Sequence, residues 1–241
     1  MDPTLSNTVN KRIRLLTVVF GAEIKGYEIP AFRSAVIEKA GRENVLFHNH
    51  LKSKGFLYKY PLIQYKMIHH HPSIICIDHG VDEIHKYFEK DNWDIHISGR
   101  WLEMKIDRLH LNQFNMQVWD KMFRYSIWNW VALNQANFRK YIEMDDMTDK
   151  VRLLESILKA NILSFAKGIE WTIEKPVEVK ISNLNPTRRV TLKEKDVLGF
   201  NVDFSTNVFL PNFIGLGKSV SLGYGVVKSL NGKNDKRNNN E

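Results

Sequence analysis

A dense group of proton-transferring and cationic side chains lies between residues 47 and 61. Within the thirteen positions from His48 to Tyr60 the chain has two histidines, three lysines and two tyrosines. Histidine gives and takes protons near neutral pH, and lysine ammonium groups can neutralise a phosphate or stabilise a charged transition state. The pattern therefore indicates acid–base chemistry on an anionic substrate. The candidate residues are His48, His50, Lys52, Lys54 and Tyr58.

Non-catalytic interpretations of these histidines stay open at this point. A His-x-His pattern also fits a half-exposed strand or a pair of metal ligands. No adjacent carboxylate or cysteine completes a set of zinc ligands, so we expect no metal and no other cofactor. The triple histidine at residues 69–71 is predicted to form a solvated turn.

A second candidate is the glycine-rich segment at residues 215–225, which reads GLGKSVSLGYG. Its four glycines flank Lys218, Ser219 and Ser221, so the segment could offer backbone N–H groups, one lysine and two hydroxyls to an anion. A glycine-rich β-turn without a ligand is the alternative. A phosphate-binding P-loop is excluded, because Asn212 stands where that motif needs glycine and the residues that follow are strand-like rather than helical.

The composition is that of a globular protein with a preference for anionic partners. Hydrophobic residues make up 43% of the 241 residues and charged residues 26%, and the net charge is +8. Such a charge favours nucleic acid or a membrane surface without separating them. Cys76 is the single cysteine and lies in an apolar run, which predicts a buried thiol in a reducing compartment. No apolar run is long enough for a membrane span and no signal peptide is evident, so we expect a cytoplasmic protein.

The elements that must position these residues follow a repeated order. In the first half, apolar spacing and turn residues predict a β-α-β-β-α-β pattern, which is ferredoxin-like and is also used by RNA-recognition sheets. The predicted elements are a strand at 13–20, a helix from Pro30 to Gly41, strands at 56–68 and 72–77, a helix at 81–90, and a strand at 94–106 with a hairpin break at Ser98–Gly99.

The second half begins in the same way and then departs from the pattern. The predicted elements are a strand at 124–133, a helix capped by Thr148 and closed by Gly168, and strands at 169–181, 188–192, 199–204 and 224–228. A second helix is absent. We therefore predict an α+β fold of two tandem ferredoxin-like domains, the second degenerate, at 1–112 and 113–230, with a disordered tail at 231–241. The tryptophans at 93, 101, 128 and 130 are expected in the core.

Two motifs together resemble one protein family. The duplicated ferredoxin-like pattern with a C-terminal G-ϕ-G-x5-G-ϕ-G segment is similar to the RAMP superfamily of CRISPR-associated proteins. Within it, the chain resembles the endoribonucleases of the sixth Cas family, which cut precursor CRISPR RNA within each repeat. The string YPLIQYK from Tyr60 onward, with Tyr58-Lys59 before it and Pro72-Ser73-Ile74-Ile75 after it, is similar to the b-type branch.

The resemblance implies metal-independent cleavage by the RNA's own 2′-hydroxyl, giving 2′,3′-cyclic phosphate and 5′-hydroxyl ends. His48 and His50 would act as general base and acid in an order that the sequence leaves open. Lys52 or Lys54 would stabilise charge, Tyr58 would orient the scissile phosphate, and Tyr27 is a further candidate. The implied RNA-binding residues are Gly215, Gly217, Lys218, Ser219, Gly223, Gly225, Arg188, Arg189 and Lys193.

Two other functions remain open on the sequence. One is a non-catalytic RAMP subunit that binds CRISPR RNA in an effector complex. The other is a metal-dependent nuclease or phosphodiesterase that uses His48, His50 and the histidines at 69–71. The expected partner is the precursor CRISPR RNA repeat, with effector-complex proteins and a second copy of the chain as further candidates and no membrane.

Overall fold

In a computed structural model, residues 10–48, 60–185, 188–192 and 195–230 are described. The chain divides into two compact units. The first unit extends to Met116 and includes Ser164–Thr172 and Ser219–Gly223, whereas the second contains Gln117–Leu163, Ile173–Lys218 and the residues from Tyr224 onward. The tail predicted at 231–241 lies outside the described residues.

The first unit is built on a four-stranded antiparallel sheet in the order β2-β3-β1-β6. The first strand lies beside both the third and the fourth strand of the repeat, as in a ferredoxin-like split βαβ arrangement. Its elements are β1 (Lys11–Phe20), α1 (Ile29–Ala40), α2 (Val45–His48), β2 (Ile63–Ile68), β3 (His71–Ile77), α3 (His79–Glu83), α4 (His85–Phe88), β4 (Ile95–Ile97), β5 (Arg100–Leu102) and β6 (Ile106–Met116).

Helix α1 shows why the first half folds as predicted. Its buried residues Phe32, Val36 and Ala40 recur every four positions and so lie on one face. The helix ends before Gly41, whose φ of 102° is outside the helical range and is well suited to glycine. On the sheet side, the ring of Phe32 lies edge-on to Phe20 and Tyr65, with centroid distances of 6.3 and 5.7 Å.

The fourth strand of this unit was predicted at the wrong place. Residues 94–106 form the short hairpin of β4 and β5, which turns at Ser98 and Gly99 with φ values of 50° and 79°. The predicted break is therefore confirmed, but the strand that completes the sheet is β6. Most β6 side chains are exposed, so the strand has no buried apolar alternation and is held by its pairing with β1. The helix predicted at 81–90 is split into α3 and α4.

The second unit has its own antiparallel sheet in the order β11-β7-β10-β8, with β9 paired to the first half of β10. With β9 left out of the numbering, the strands of this half lie in the order fourth, first, third, second, the same order as in the first unit. Its elements are β7 (Val118–Trp130), α5 (Gln135–Glu143), α6 (Met147–Gly168), β8 (Val179–Leu184), β9 (Arg188–Leu192), β10 (Lys195–Val208) and β11 (Val226–Ser229). The last turn of α6 belongs to the first unit.

Two ferredoxin-like halves, the second without its second helix, confirm the predicted fold class. Between β10 and β11 the only regular helical element in the described chain is a single 3-10 turn at Val220–Leu222. The sequence did not predict α5, which has no buried residues. It also assigned the cap of α6 to Thr148, whereas Asp146 Oδ1 accepts the Thr148 N–H at 2.5 Å, a bond that lowers the pKa of Asp146.

The tryptophan prediction was right for one of the four residues and wrong for two. Trp130 is fully buried and its Nε1 donates to Asn161 Oδ1 at 2.9 Å. Trp101 and Trp128 are 73% and 53% exposed. Trp93 is half-buried and packs against the core of the first unit. None of the described helices is both long and apolar enough to cross a membrane.

Candidate active site and RNA interface

His48 closes α2, a single helical turn attached to the first unit from two sides. The preceding residue, Phe47, is buried, and its carbonyl accepts a hydrogen bond from the Tyr65 hydroxyl at 3.3 Å. The His48 carbonyl accepts from Arg33 Nη2 at 3.0 Å. A turn this short leaves its last carbonyls without helical partners, so these bonds fix where the chain enters the histidine- and lysine-rich segment.

The His48 ring has a defined tautomer when it is neutral. Its Nε2 lies 2.7 Å from the carbonyl oxygen of Arg42. A carbonyl can only accept, so Nε2 must donate and the lone pair belongs to Nδ1. The half-buried imidazole is thus held in one orientation by the backbone through Nε2.

Of the remaining predicted catalytic residues, only Tyr27 lies within the described part of the chain. His50, Lys52, Lys54 and Tyr58 lie outside the described residues. Tyr27 lies in a 3-10 turn at Gly26–Glu28, is 74% exposed, and has the Lys25 ammonium 5.8 Å from its ring centroid. Its hydroxyl is therefore accessible to a large ligand at the surface of the first unit.

The glycine-rich segment begins and ends as a closed backbone hairpin in the second unit. Leu216 N–H donates to Gly225 O at 2.8 Å, and Gly225 N–H donates to Asn129 O at 3.1 Å. Lys218 N–H donates to Val131 O at 3.1 Å. These N–H groups are satisfied within the protein, so they are not available to the anion that the sequence suggested they might bind.

Close packing requires glycine at two of these positions. A Cβ at Gly217 would lie 2.7 Å from the Trp130 ring, and one at Gly225 would lie 1.9 Å from the Leu216 carbonyl oxygen. Both residues also have positive φ, at 97° and 62°. The segment therefore keeps its path only when both positions lack a side chain.

The middle of the segment, Ser219–Gly223, packs within the first unit. Ser219 precedes the 3-10 turn in a left-handed conformation with φ of 56°. The buried Val220 carbonyl accepts a hydrogen bond from Lys66 Nζ at 2.8 Å. Ser219 and Gly223, the two residues of this stretch that were proposed to bind RNA, thus lie close in the chain to a carbonyl that accepts from a buried lysine.

Lys66 is the least expected ionisable group of the first unit. Its side chain is 1% exposed, and this burial lowers its pKa to about 7 from the ordinary 10.5. In the sequence Lys66 appears only as the last residue of the YPLIQYK string, whereas the structure places it in β2, where both faces of the strand are buried. A lysine in such a strand must either reach solvent or find a buried acceptor, and Lys66 finds the Val220 carbonyl.

Two of the predicted RNA contacts, Arg189 and Lys218, line one cavity of the second unit with a volume of about 500 Å³. Partial burial lowers the pKa of Lys218. The backbone of Arg188 forms the start of β9, but its side chain lies outside the described part of the chain, as does Lys193. The other residues that line the cavity come mainly from α5 and from β10 and were not predicted from the sequence.

No group of three or more histidine, cysteine, aspartate or glutamate side chains within the described ranges is placed to hold a metal ion. The triple histidine illustrates this. His69 and His70 form the turn between β2 and β3 with φ of 50° and 70°, as predicted. His71 instead begins β3, and its Nδ1 lies 2.9 Å from the Ala22 carbonyl oxygen.

Two tandem ferredoxin-like sheets followed by this glycine segment define a protein of the RAMP type. The N-terminal domain family of Cas6b matches residues 11–115, and the C-terminal domain family of Cas6b matches residues 117–230. Together the two matches span both halves of the chain. The chain belongs to the Cas6b family.

Two solved structures agree with this assignment. A crystal structure of Cas6b is 28% identical with a TM-score of 0.83, covering 91% of this chain and 100% of that chain. The crystal structure of a CRISPR RNA processing endoribonuclease, Cas6b, is 25% identical with a TM-score of 0.70 over the same shares. The uncharacterized protein MJ0978 of Methanocaldococcus jannaschii is 36% identical over 111 residues, which are 46% of this chain and 74% of that protein.

We expect Gly225→Ala to destabilise the protein by about 3 kcal/mol or more, because the new methyl group would meet backbone that cannot move aside. Gly99→Ala is the matched control, since Gly99 also has positive φ but nothing lies within 4 Å of an added Cβ. That control should cost only the left-handed strain of about 1–2 kcal/mol. Urea unfolding followed by circular dichroism measures both, and equal losses would contradict the packing argument.

The pKa of Lys66 predicts a pH-dependent stability. Between about pH 7 and pH 10 the unfolded chain binds more protons at this residue than the folded chain, so the free energy of unfolding should rise with pH. The penalty for the buried ammonium is fully present below about pH 7. Lys66→Met removes the titrating group and should give a flatter pH profile than the wild type.

Urea unfolding at several pH values across this window measures the effect. Lys90→Met is the control, because Lys90 is an exposed lysine of the same unit and its loss should leave the wild-type profile unchanged. Parallel profiles for Lys66→Met and the wild type would show that Lys66 stays charged, or reaches water, in the folded protein.

Proposed function

We propose that this protein is an endoribonuclease that cuts precursor CRISPR RNA within its repeats without a metal ion. The nucleophile is the 2′-hydroxyl next to the scissile phosphate, and the products have 2′,3′-cyclic phosphate and 5′-hydroxyl ends. Membership of the Cas6b family and the likeness to a CRISPR RNA processing endoribonuclease support the substrate and the reaction class. The residue types at positions 48–58 support the cleavage chemistry.

The observation on which the proposal rests is the oriented imidazole of His48. Its Nε2–H donates to Arg42 O, so Nδ1 is the nitrogen that can take the 2′-proton. A nucleophile within the substrate is already adjacent to phosphorus, so the protein has to supply proton transfer, charge stabilisation and alignment. We assign His48 the role of general base on this ground.

The residues that follow His48 complete the proposed reaction. His50 protonates the departing 5′-oxygen as the general acid, and Lys52 or Lys54 stabilises the charge that develops on the phosphorane oxygens. Tyr58 orients the scissile phosphate. Tyr27 is exposed on the same unit and is retained as a contact to the RNA.

The C-terminal half contributes RNA binding rather than chemistry in this proposal. The net charge of +8 favours a polyanion, and Lys218 and Arg189 line a common cavity. Arg188 and Lys193 are neighbours of Arg189 in the sequence and are proposed as further phosphate contacts. Processing would take place in the cytoplasm, with effector-complex proteins or a second copy of the chain as additional partners.

The proposal predicts cleavage of repeat RNA from the CRISPR array of the host in excess EDTA. A substrate with a single 2′-deoxy nucleotide on the 5′ side of the cut should bind normally and remain intact, because its nucleophile is missing. Gel analysis of the products, with phosphatase sensitivity to identify the cyclic phosphate end, measures both. Cleavage that EDTA stops would overturn the proposed mechanism.

We expect His48→Ala and His50→Ala each to reduce the cleavage rate by about 10²- to 10⁴-fold, with RNA affinity changed little. His85→Ala is the control, since His85 is an exposed histidine of α4, outside the proposed site. Wild-type binding without any cleavage would favour the non-catalytic RAMP subunit instead.

A further inference from the structure

The cavity of the second unit has three walls of different chemistry. The first is the start of α5, with Leu133 just before it and Phe138 one turn into it. The second is the hairpin of β9 and β10, where Arg189 pairs directly with Leu198. Residues paired across an antiparallel ladder project to the same face, so an apolar and a cationic side chain stand side by side. The third is Lys218, immediately after Gly217.

The cationic side of the cavity fits a phosphate. Arg189 and Lys218 are both exposed, and each adds a positive charge to a concave surface. Asp196 is the only carboxylate among the described lining residues. Its negative charge disfavours a second phosphate in the cavity.

The apolar side fits a planar ring. Phe138 is 40% exposed although it is part of a cavity wall, so one surface of its ring is open to a ligand. Leu133, Val197 and Leu198 add aliphatic surface around it. An aromatic ring beside cationic groups is the combination that binds unstacked bases of single-stranded nucleic acid.

We propose that this cavity binds one unpaired nucleotide of the repeat RNA. The base stacks on Phe138, and the adjoining phosphate pairs with Lys218 and Arg189. The volume of about 500 Å³ is within the range of sites for small organic ligands. The proposal rests on the proposed function, since it takes the RNA to be a CRISPR repeat, and it adds a site for base recognition separate from the cleavage chemistry.

An abasic scan of the repeat tests the proposal. Each nucleotide in turn is replaced by an abasic residue in a repeat RNA made uncleavable by 2′-deoxy substitution, and affinity is measured by fluorescence anisotropy with wild-type protein and with Phe138→Ala. We expect one abasic position to weaken wild-type binding by about 5- to 100-fold and to have no further effect on Phe138→Ala. That position is the nucleotide in the cavity.

Matched variants separate stacking from loss of structure. Ile142→Ala removes another exposed apolar side chain of α5 that does not line the cavity, and it should bind every RNA of the scan as the wild type does. Phe138→Tyr should retain affinity, because the stacking surface is kept. Phe138→Leu should behave as Phe138→Ala does, because an aliphatic side chain lacks the planar ring.

Lys218→Gln tests the phosphate part. Loss of one phosphate contact should reduce the slope of log K against log salt by about 0.7, the value for single-stranded nucleic acid, whereas Phe138→Ala should leave the slope unchanged. Lys159→Gln is the control, as Lys159 is an exposed lysine of α6 away from the cavity.

The outcomes also distinguish this inference from the proposed function. If the wild type cuts the repeat while Phe138→Ala and the wild type respond alike to every abasic position, the cavity proposal is overturned and the enzyme assignment stands. If the wild type binds no repeat RNA, both fail. A dimer that forms without RNA and is abolished by Phe138→Ala would show that the cavity receives a second copy of the chain, which also overturns the proposal.

Discussion

The packing of the Trp130 indole against Gly217 is the contact on which the second unit depends. No side chain fits at residue 217, because its Cβ would lie 2.7 Å from the ring. The indole has two further contacts. Its Nε1 donates to Asn161 Oδ1 in α6, and its ring centroid lies 6.0 Å from that of Phe200 in β10. A shift of the ring to admit a larger residue at 217 would therefore break its hydrogen bond to Asn161. Lys218 follows Gly217 directly, and its position at the cavity is a consequence of this contact.

The parts of the fold that the sequence predicted are those that bury apolar side chains in a regular pattern. Helix α1 and helix α6 show apolar residues at helical spacing because each buries one face, and β3 shows an apolar run because all but its first residue are buried. Strand β6 and helix α5 bury little, so their sequences have no periodic apolar signal. Pairing with a strand about ninety residues earlier in the chain makes β6 a strand, and such distant pairing is not readable from local pattern.

The candidate site also has some features that the sequence predicted and others that depend on tertiary contacts. The glycine spacing at 215–225 was recognised from composition, but the reason for the glycines is tertiary, since it depends on Trp130 and on the Leu216 carbonyl. Nothing in the sequence distinguishes Lys66 from an ordinary strand lysine. In the structure its Nζ donates to the Val220 carbonyl. The cavity joins Arg189 to Lys218, which are 29 positions apart in the chain. Residue types thus indicated a possible chemistry. Which residues lie next to one another could be read only from the fold.

Cleavage by an internal 2′-hydroxyl makes substrate conformation the main requirement of the proposed reaction. The attacking and leaving oxygens must be in line across phosphorus, and flexible RNA adopts that geometry rarely. A general base with a fixed tautomer, the role proposed for His48, would transfer the proton without aligning the backbone. Binding energy obtained at other nucleotides can hold the scissile one in the reactive conformation. Under the proposal, a cavity that fixes one unpaired base would contribute to rate as well as to affinity, because the binding energy gained there restricts the conformations of the bound RNA.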